Sequence, residues 1–278
     1  MKTHIFPMLV LAALCSCGDD VVNVSDNFVL EGYLTANRPV DQIRLKETFG
    51  LEFAEDPNIP IADASIVLSK NNEEYPLTFN PDKASYEYTD HDLEVASDDV
   101  FYIEIGTGDR IATAQTRVPR ATQGLTVSTQ SIGVPTITVR IGIQQVLVDL
   151  FATARFILKW DNPNQDDYFI VVEKLTGTQP IFPADFPIPE ETLALIQSFS
   201  TVSRPLTTDT YEIPALSLES YGTYRATVYR INQEYVDLFN SQTQDSRDLA
   251  EAPSNVNNAL GIFTAIAGAH VDFEVVRQ

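Results

Sequence analysis

The sequence predicts a mainly β protein with two β-sandwich domains in tandem, the second carrying one or two short helices. Short segments in which apolar and polar residues alternate recur along the chain, with turn-forming residues between them. Hydrophobic residues make up 44% of the chain and aromatic residues 10%, which is enough for a substantial core. Short strands at regular spacing with frequent turns indicate a β-sandwich.

The first predicted domain spans residues 28–119. Its segments share a period of two and end at turn residues, and we expect strands at 28–35, 42–47, 65–69, 75–79, 85–88, 100–105 and 110–116. The clearest hairpin turns through Gly106-Thr-Gly-Asp109, because glycine supplies the positive φ that a tight turn needs. The domain should end near Val118-Pro119.

The second predicted domain spans residues 120–278. We expect extended segments at 125–129, 135–141, 146–151, 155–160, 168–174, 221–230 and 270–276, and a short helix at 190–199. After residue 230 the apolar period changes to that of a helix. There Asn232 suits an N-cap, Glu234 falls in the first turn, and Ile231 can pack on Val236 as a hydrophobic staple.

The beginning of the chain has the organisation of an export signal. Lys2 is positive, and residues 5–14 form an apolar run that is too short to cross a bilayer as a helix. The run Leu14-Cys15-Ser16-Cys17 resembles a bacterial lipobox, and bulky Leu14 just before Cys15 makes Cys17 the expected lipidated residue. We therefore expect residues 1–16 to be a signal peptide. The alternative is an ordinary secretory signal that is cleaved nearby.

Residues 17–27 form the expected lipid-anchored tether. Gly18, Asp19 and Asp20 resemble the acidic tract that sends many Bacteroidota lipoproteins to the cell surface, although a solvated linker would have the same composition. Stable anchoring takes more than one acyl chain, and a diacylglyceryl group with an N-acyl chain supplies several. The sequence thus predicts a lipid-anchored protein of the outer membrane that faces the cell exterior.

Charge and cysteine content narrow the class of function. The formal net charge is −21, which argues against nucleic acid as a partner and against adsorption to anionic lipid. The chain has two cysteines, Cys15 in the expected signal and Cys17 at the expected anchor. We therefore expect a folded body without disulfides, thiolate metal sites or cysteine nucleophiles.

Four segments, in this order and spacing, resemble a family of Bacteroidota outer-membrane lipoproteins that is classed only as a domain of unknown function. They are Val29-Leu-Glu-Gly-Tyr-Leu-Thr35, Pro60-Ile-Ala-Asp-Ala-Ser-Ile-Val67, Trp160-Asp-Asn-Pro163 before Asp167-Tyr-Phe169, and Pro253-Ser-Asn-Val256 with Leu260-Gly-Ile-Phe263 after Glu234-Tyr235 and Leu238-Phe239. Ala259 stands where many members have glycine.

The resemblance implies an immunoglobulin- or transthyretin-like sandwich in the first domain. It also implies a non-enzymatic accessory or substrate-binding role beside a TonB-dependent outer-membrane receptor, because members are often encoded next to such receptors. The family brings no catalytic residues and no cofactor. A structural or adhesive envelope protein is the alternative function.

The residues themselves give little sign of catalysis. The expected mature chain has two histidines, His91 and His270, and no metalloprotease, hydrolase, P-loop or dinucleotide motif. Carboxylates crowd around His91, at Asp90, Asp92, Glu94, Asp98 and Asp99. Such a loop could bind Ca²⁺, but it matches no calcium-loop template, so a solvated acidic loop is favoured and no metal site is predicted.

Three aromatic residues and one glycine have two interpretations each. Phe182 and Phe186, on a proline-rich loop, could contact a partner or ligand, or could be buried beneath that loop. Trp160 is expected in the core rather than at a sugar site. Gly261 is expected to relieve a backbone constraint while Ile262 and Phe263 enter the core.

Overall fold

The computed structural model describes residues 28–48, 59–138, 142–242 and 253–278. The predicted signal peptide, Cys17 and the residues Gly18, Asp19 and Asp20 lie outside these ranges. Within them, strands dominate and three short helices are present, so the prediction of a mainly β protein is confirmed. None of these helices has the length and apolar content needed to cross a bilayer.

Seven strands follow one another in the first part of the chain. They are β1 (Phe28–Thr35), β2 (Ile43–Glu47), β3 (Ser65–Lys70), β4 (Glu73–Asn80), β5 (Ser85–Glu87), β6 (Val100–Thr107) and β7 (Arg110–Arg117). In β1 the buried residues are every second one, because only one face of the strand meets the core. These strands lie close to the bounds that alternation predicts.

The rest of the chain mixes strands and helices. Its elements are β8 (Thr126–Val127), β9 (Ser131–Val134), α1 (Ile143–Thr153), β10 (Arg155–Lys159), β11 (Tyr168–Lys174), α2 (Glu190–Gln197), β12 (Thr210–Pro214), β13 (Gly222–Arg230), α3 (Gln233–Gln242), β14 (Val256–Asn257) and β15 (Leu260–Arg277). A 3-10 turn, Ala215–Ser217, follows β12.

Two sheets contain these strands. The larger has the order β11-β13-β15-β1-β2-β5-β4-β3-β6-β7-β14, with β9 also paired to β15, and the smaller has the order β12-β10-β8. Strand β15 is 18 residues long and joins the two parts of the molecule. Its first residues pair in parallel with β1, from Val29↔Leu260 to Thr35↔Ile266, and its later residues pair antiparallel with β13.

The hydrophobic interior divides into two clusters. The first core contains buried side chains of β1 to β7 together with Val256, Phe263, Ala265 and Ala267 from the end of the chain. The second core contains side chains from residues 134 to 228 together with Phe273 and Val275. Because β15 contributes to both cores, the C-terminal segment completes the first core as well as the second, and the predicted division at residue 119 stays a prediction.

Four expectations about local structure were wrong. The segment 135–141 was expected to be extended, but residues 135–138 lie in no strand, and residues 139–141 lie outside the described ranges. The segment 146–151 was expected to be extended but lies in α1, where Leu147 and Phe151 are buried one turn apart. The last strand begins at Leu260 rather than near residue 270. The described part of the second half has three helices rather than one or two, although α2 and α3 lie where helices were predicted.

Candidate functional site

A polar cleft of about 460 Å³ lies where the end of β7 meets the loop before β11 and the end of β13. We call it the junction cleft. Its lining residues come from four separate stretches of the chain: Asp98, Arg117, Val118, Pro119 and Arg120, then Asn164 to Asp167, and Arg230 to Gln233. Small-molecule sites often form in clefts between packed units of a chain, so this is the candidate site.

The first wall of the junction cleft carries two arginines around Asp98. The Arg120 Nε donates to Asp98 Oδ2 at 2.9 Å, and the Arg117 Nη1 donates to the Asp98 backbone carbonyl at 3.0 Å. Asp98 has a positive φ of 69° and its N–H donates to the Val118 carbonyl at 2.9 Å, which holds its turn against the end of β7. This wall therefore presents two guanidinium groups and one carboxylate.

The second wall is built by the loop between β10 and β11. Asn162 shapes the loop, since its Nδ2 donates to the carbonyls of Asp166 and Thr207 and its Oδ1 accepts from the Asp166 N–H at 2.8 Å. Arg230, at the end of β13, forms a 2.7 Å ion pair with Asp166. Together with Asp167, this wall presents two carboxylates and one guanidinium group.

Hydrogen bonds between the two parts of the chain fix the floor of the cleft. Asn232 Nδ2 donates to the Arg117 carbonyl at 2.9 Å and to Thr116 Oγ1 at 3.2 Å. Glu234 Oε1 accepts from the hydroxyls of Thr116 and Thr264, and the buried Thr122 hydroxyl donates to the Val228 carbonyl at 2.7 Å. These bonds join the parts of the chain that hold the first and second cores, so they fix the position of one wall relative to the other.

The surroundings of Asp167 in the cleft disfavour its charged form. Partial burial raises its pKa, and the negative charges of Asp166 and Asp237 raise it further. Within the described part of the chain no cation lies within ion-pair distance of Asp167. A positively charged group in the cleft would relieve this repulsion.

The structure places Phe182 and Phe186 against the second core. Phe186 is 8% exposed, Phe182 is half-buried, and their rings lie 5.8 Å apart. Trp160 is also buried, with its ring 5.6 Å from that of Tyr168. Gly261 has a φ of 106° and Phe263 is fully buried, as expected. Phe186 therefore presents little surface to a partner.

The structure divides the acidic segment around His91: Asp98 lines the junction cleft, whereas Asp90 and His91 line a separate cleft. Asp90, His91 and Asp92 are exposed, and a second cleft of about 530 Å³ includes Asp90 and His91. Asp92 accepts a 2.6 Å hydrogen bond from the Tyr88 hydroxyl, which raises the pKa of Tyr88 to about 12. Across the described ranges, no group of three or more His, Cys, Asp or Glu side chains could hold a metal ion.

Comparisons with known proteins identify a family. A family model described as "Domain of unknown function (DUF4249)" matches residues 19–270. No curated protein matches the chain.

Three solved structures are similar to the chain at low identity. A two-domain fibronectin type III segment from chicken tenascin is 10% identical, with 90% of this chain and 99% of that chain covered and a TM-score of 0.26. A chimeric titin Z1Z2-Z1Z2 tandem is 12% identical, with 91% and 98% covered and a TM-score of 0.21. The chicken CNTN1 FN1-FN3 domains are 9% identical, with 90% and 65% covered and a TM-score of 0.21. These similarities are too low to support an inference about this chain.

Proposed function

The chain belongs to the DUF4249 family, a domain of unknown function, and we propose that it is a lipid-anchored, non-enzymatic accessory or substrate-binding partner of a TonB-dependent transporter. The observation that carries the proposed location is the lipobox-like run Leu14-Cys15-Ser16-Cys17 after a short apolar segment. The proposed membrane is the outer membrane of a Bacteroidota cell, with the folded body on the exterior.

The direction of β1 supports an anchored orientation. β1 begins at Phe28, and the Arg110 guanidinium lies 5.7 Å from the Phe28 ring centroid, so β7 also begins at this end. The cleft residue Arg117 is at the other end of β7. Eleven residue steps separate Cys17 from Phe28 and can span at most about 40 Å. An anchor at Cys17 would thus be connected to the Phe28 end of β1, which lies at the opposite end of β7 from the junction cleft.

The proposed partner comes from the family resemblance, and the cleft supports a binding role. The charges on its walls come from two parts of the chain that are joined by hydrogen bonds. Such a preformed polar cleft can recognise a ligand without a large rearrangement.

The anchor is tested by metabolic labelling with an alkyne fatty acid. Cys15 and Cys17 give a matched pair, since both are cysteines of the same short run. We expect Cys17→Ala to abolish labelling and Cys15→Ala to keep it. Retention of label in Cys17→Ala, or its loss only in Cys15→Ala, would contradict the assignment of Cys17.

The partner is tested by purifying the lipidated protein from gently solubilised outer membrane and identifying the proteins that come with it. A TonB-dependent receptor present in stoichiometric amount supports the accessory role. If the protein comes out alone, while control membrane complexes survive the same detergent, the accessory role fails. The structural or adhesive alternative is then preferred.

A further inference from the structure

The two walls of the junction cleft carry opposite net charges. On the first wall, Arg117 and Arg120 outnumber Asp98, and on the second wall Asp166 and Asp167 outnumber Arg230. Since the whole chain has a net charge of −21, an excess of cations on one side of a cleft is a local departure from its composition. The wall at the end of β7 is therefore net positive, and the wall formed by the loop before β11 is net negative.

One charge on each wall has no partner of opposite sign within the described ranges. Arg117 makes its side-chain hydrogen bond to a backbone carbonyl, and no carboxylate lies within ion-pair distance of its guanidinium group. Asp167 has no cation within ion-pair distance, whereas the neighbouring Asp166 is paired with Arg230. The other two charges of the first wall, Arg120 and Asp98, pair with each other.

We propose that the junction cleft binds a small zwitterionic molecule, with its anionic group against Arg117 and its ammonium group against Asp167. Two sources share this chemistry: an amino acid or short peptide with free termini, and the phosphoethanolamine group of a lipid. The proposal rests on the proposed role as a substrate-binding partner and names the class of substrate.

The dimensions and lining of the cleft suit such a ligand. Its volume of about 460 Å³ falls within the range of small-molecule sites, which is roughly 300–1,000 Å³. The side-chain amides of Asn164 and Gln165 also line it and can donate to or accept from the middle of a short peptide. A charged ligand benefits because a partly enclosed cleft screens charges less than open water does.

The test is isothermal titration calorimetry with the full-length lipidated protein in detergent. The peptide probes are triglycine, N-acetyl-triglycine, which lacks the ammonium group, and triglycine amide, which lacks the carboxylate. The lipid-type probes are O-phosphoethanolamine, ethanolamine and inorganic phosphate. We expect one of the two zwitterions to bind, and its single-charge analogues to bind about tenfold or more weakly.

Two substitutions assign the ends of the ligand. Arg117→Gln should weaken binding of the zwitterion about tenfold, but it should not weaken binding of the analogue that lacks the anionic group. Asp167→Asn should also weaken binding of the zwitterion about tenfold, but it should not weaken binding of the analogue that lacks the ammonium group. Arg110→Gln and Asp109→Asn are the charge-matched controls, because both residues lie at the far end of β7 or in the turn before it. Circular dichroism checks that each variant is folded.

The source is decided by which zwitterion binds more tightly, and either result supports the zwitterionic site. The proposal is overturned if neither zwitterion binds at millimolar concentration, if the analogues bind as well as the zwitterions, or if the control variants weaken binding as much as the cleft variants. Because no receptor is present in the calorimeter, this outcome is independent of whether a transporter co-purifies.

Discussion

Gly261 passes Leu30 so closely that a Cβ on the glycine would stand 2.0 Å from the Leu30 carbonyl oxygen. The two residues are partners in the parallel ladder of β1 and β15, and Gly261 has a φ of 106°. We expect Gly261→Ala to lower the free energy of unfolding by more than about 3 kcal/mol, because strain and a backbone clash add. Urea unfolding followed by circular dichroism measures the change.

Gly108 provides the control for this substitution. It also has a positive φ, of 57°, but no atom lies within 4 Å of where its Cβ would be. Gly108→Ala should therefore cost only the backbone preference, about 1–2 kcal/mol. If both substitutions lower the free energy of unfolding equally, the close approach of Leu30 to Gly261 does not add to the cost of a side chain at Gly261.

Substitution of Phe186 tests whether this residue belongs to the core or contacts a partner. Because its ring is buried in the second core, Phe186→Ala should lower the free energy of unfolding by about 3–5 kcal/mol. Phe182→Ala should lower it by less, since that ring is only half-buried. A Phe186→Ala variant of normal stability that no longer retains a co-purifying partner would reverse this assignment.

The ion pair between β13 and β15 should make stability depend on pH in the acid range. Arg225 donates to both carboxylate oxygens of Asp272, at 2.8 and 3.0 Å, which lowers the pKa of Asp272 below its ordinary 3.8. The stabilisation is therefore complete above pH 3.8 and is lost as the pH falls through the lower value of the folded state. We expect Asp272→Asn to reduce the urea midpoint slightly at pH 6, because exposed pairs contribute little.

The control is Glu274→Gln, an exposed position on the same strand with no ion pair within the described residues. Its midpoint should stay near that of the parent at every pH. If the difference between Asp272→Asn and the parent does not shrink below pH 3.8, the ion pair is not its source.

Asp167 should make stability depend on pH in the opposite sense to Asp272. Its pKa is raised in the folded state, so the protein loses stability as this carboxyl ionises, from the ordinary value of 3.8 up through the raised one. We expect Asp167→Asn to increase the urea midpoint at pH 7, with the gain disappearing below pH 3.8. Asp109→Asn should show no such gain. A loss of stability in Asp167→Asn at pH 7 would mean that an attractive contact outweighs the repulsion.

Much of the first core could be predicted from the sequence. The β1 segment FVLEGYLT alternates strictly in burial, and its predicted and observed bounds agree. Alternation identifies such strands because one face is buried and the other is open to solvent. The helix α3 was also predictable, since the period of its apolar residues changes after Arg230.

Strand β15 and helix α1 were harder to predict for physical reasons. Between Leu260 and His270 the strand contains Gly261, Gly268 and three alanines, whose small side chains hide the alternation. In α1, Val146 to Phe151 is mostly apolar, and a short apolar run does not by itself distinguish a strand from a helix.

The junction cleft was not predicted at all. Arg117, Asp167 and Arg230 are far apart in the sequence. They line one cleft because β15 and hydrogen bonds such as that from Asn232 to the Arg117 carbonyl join the two cores. Residues 161–167 form the loop between β10 and β11, and the ion pair of Asp166 depends on Arg230 from β13.

The parallel ladder between β1 and β15 has a mechanical consequence for an anchored protein. A load that pulls the second core away from an anchor at Cys17 acts on the two strands in opposite directions along their length. Seven residue pairs, from Val29↔Leu260 to Thr35↔Ile266, then bear the load in shear. Shear stretches these hydrogen bonds together instead of opening them one after another. If the protein is anchored, this ladder would therefore resist a pull along β1 better than a pull across it, which would open the pairs one at a time.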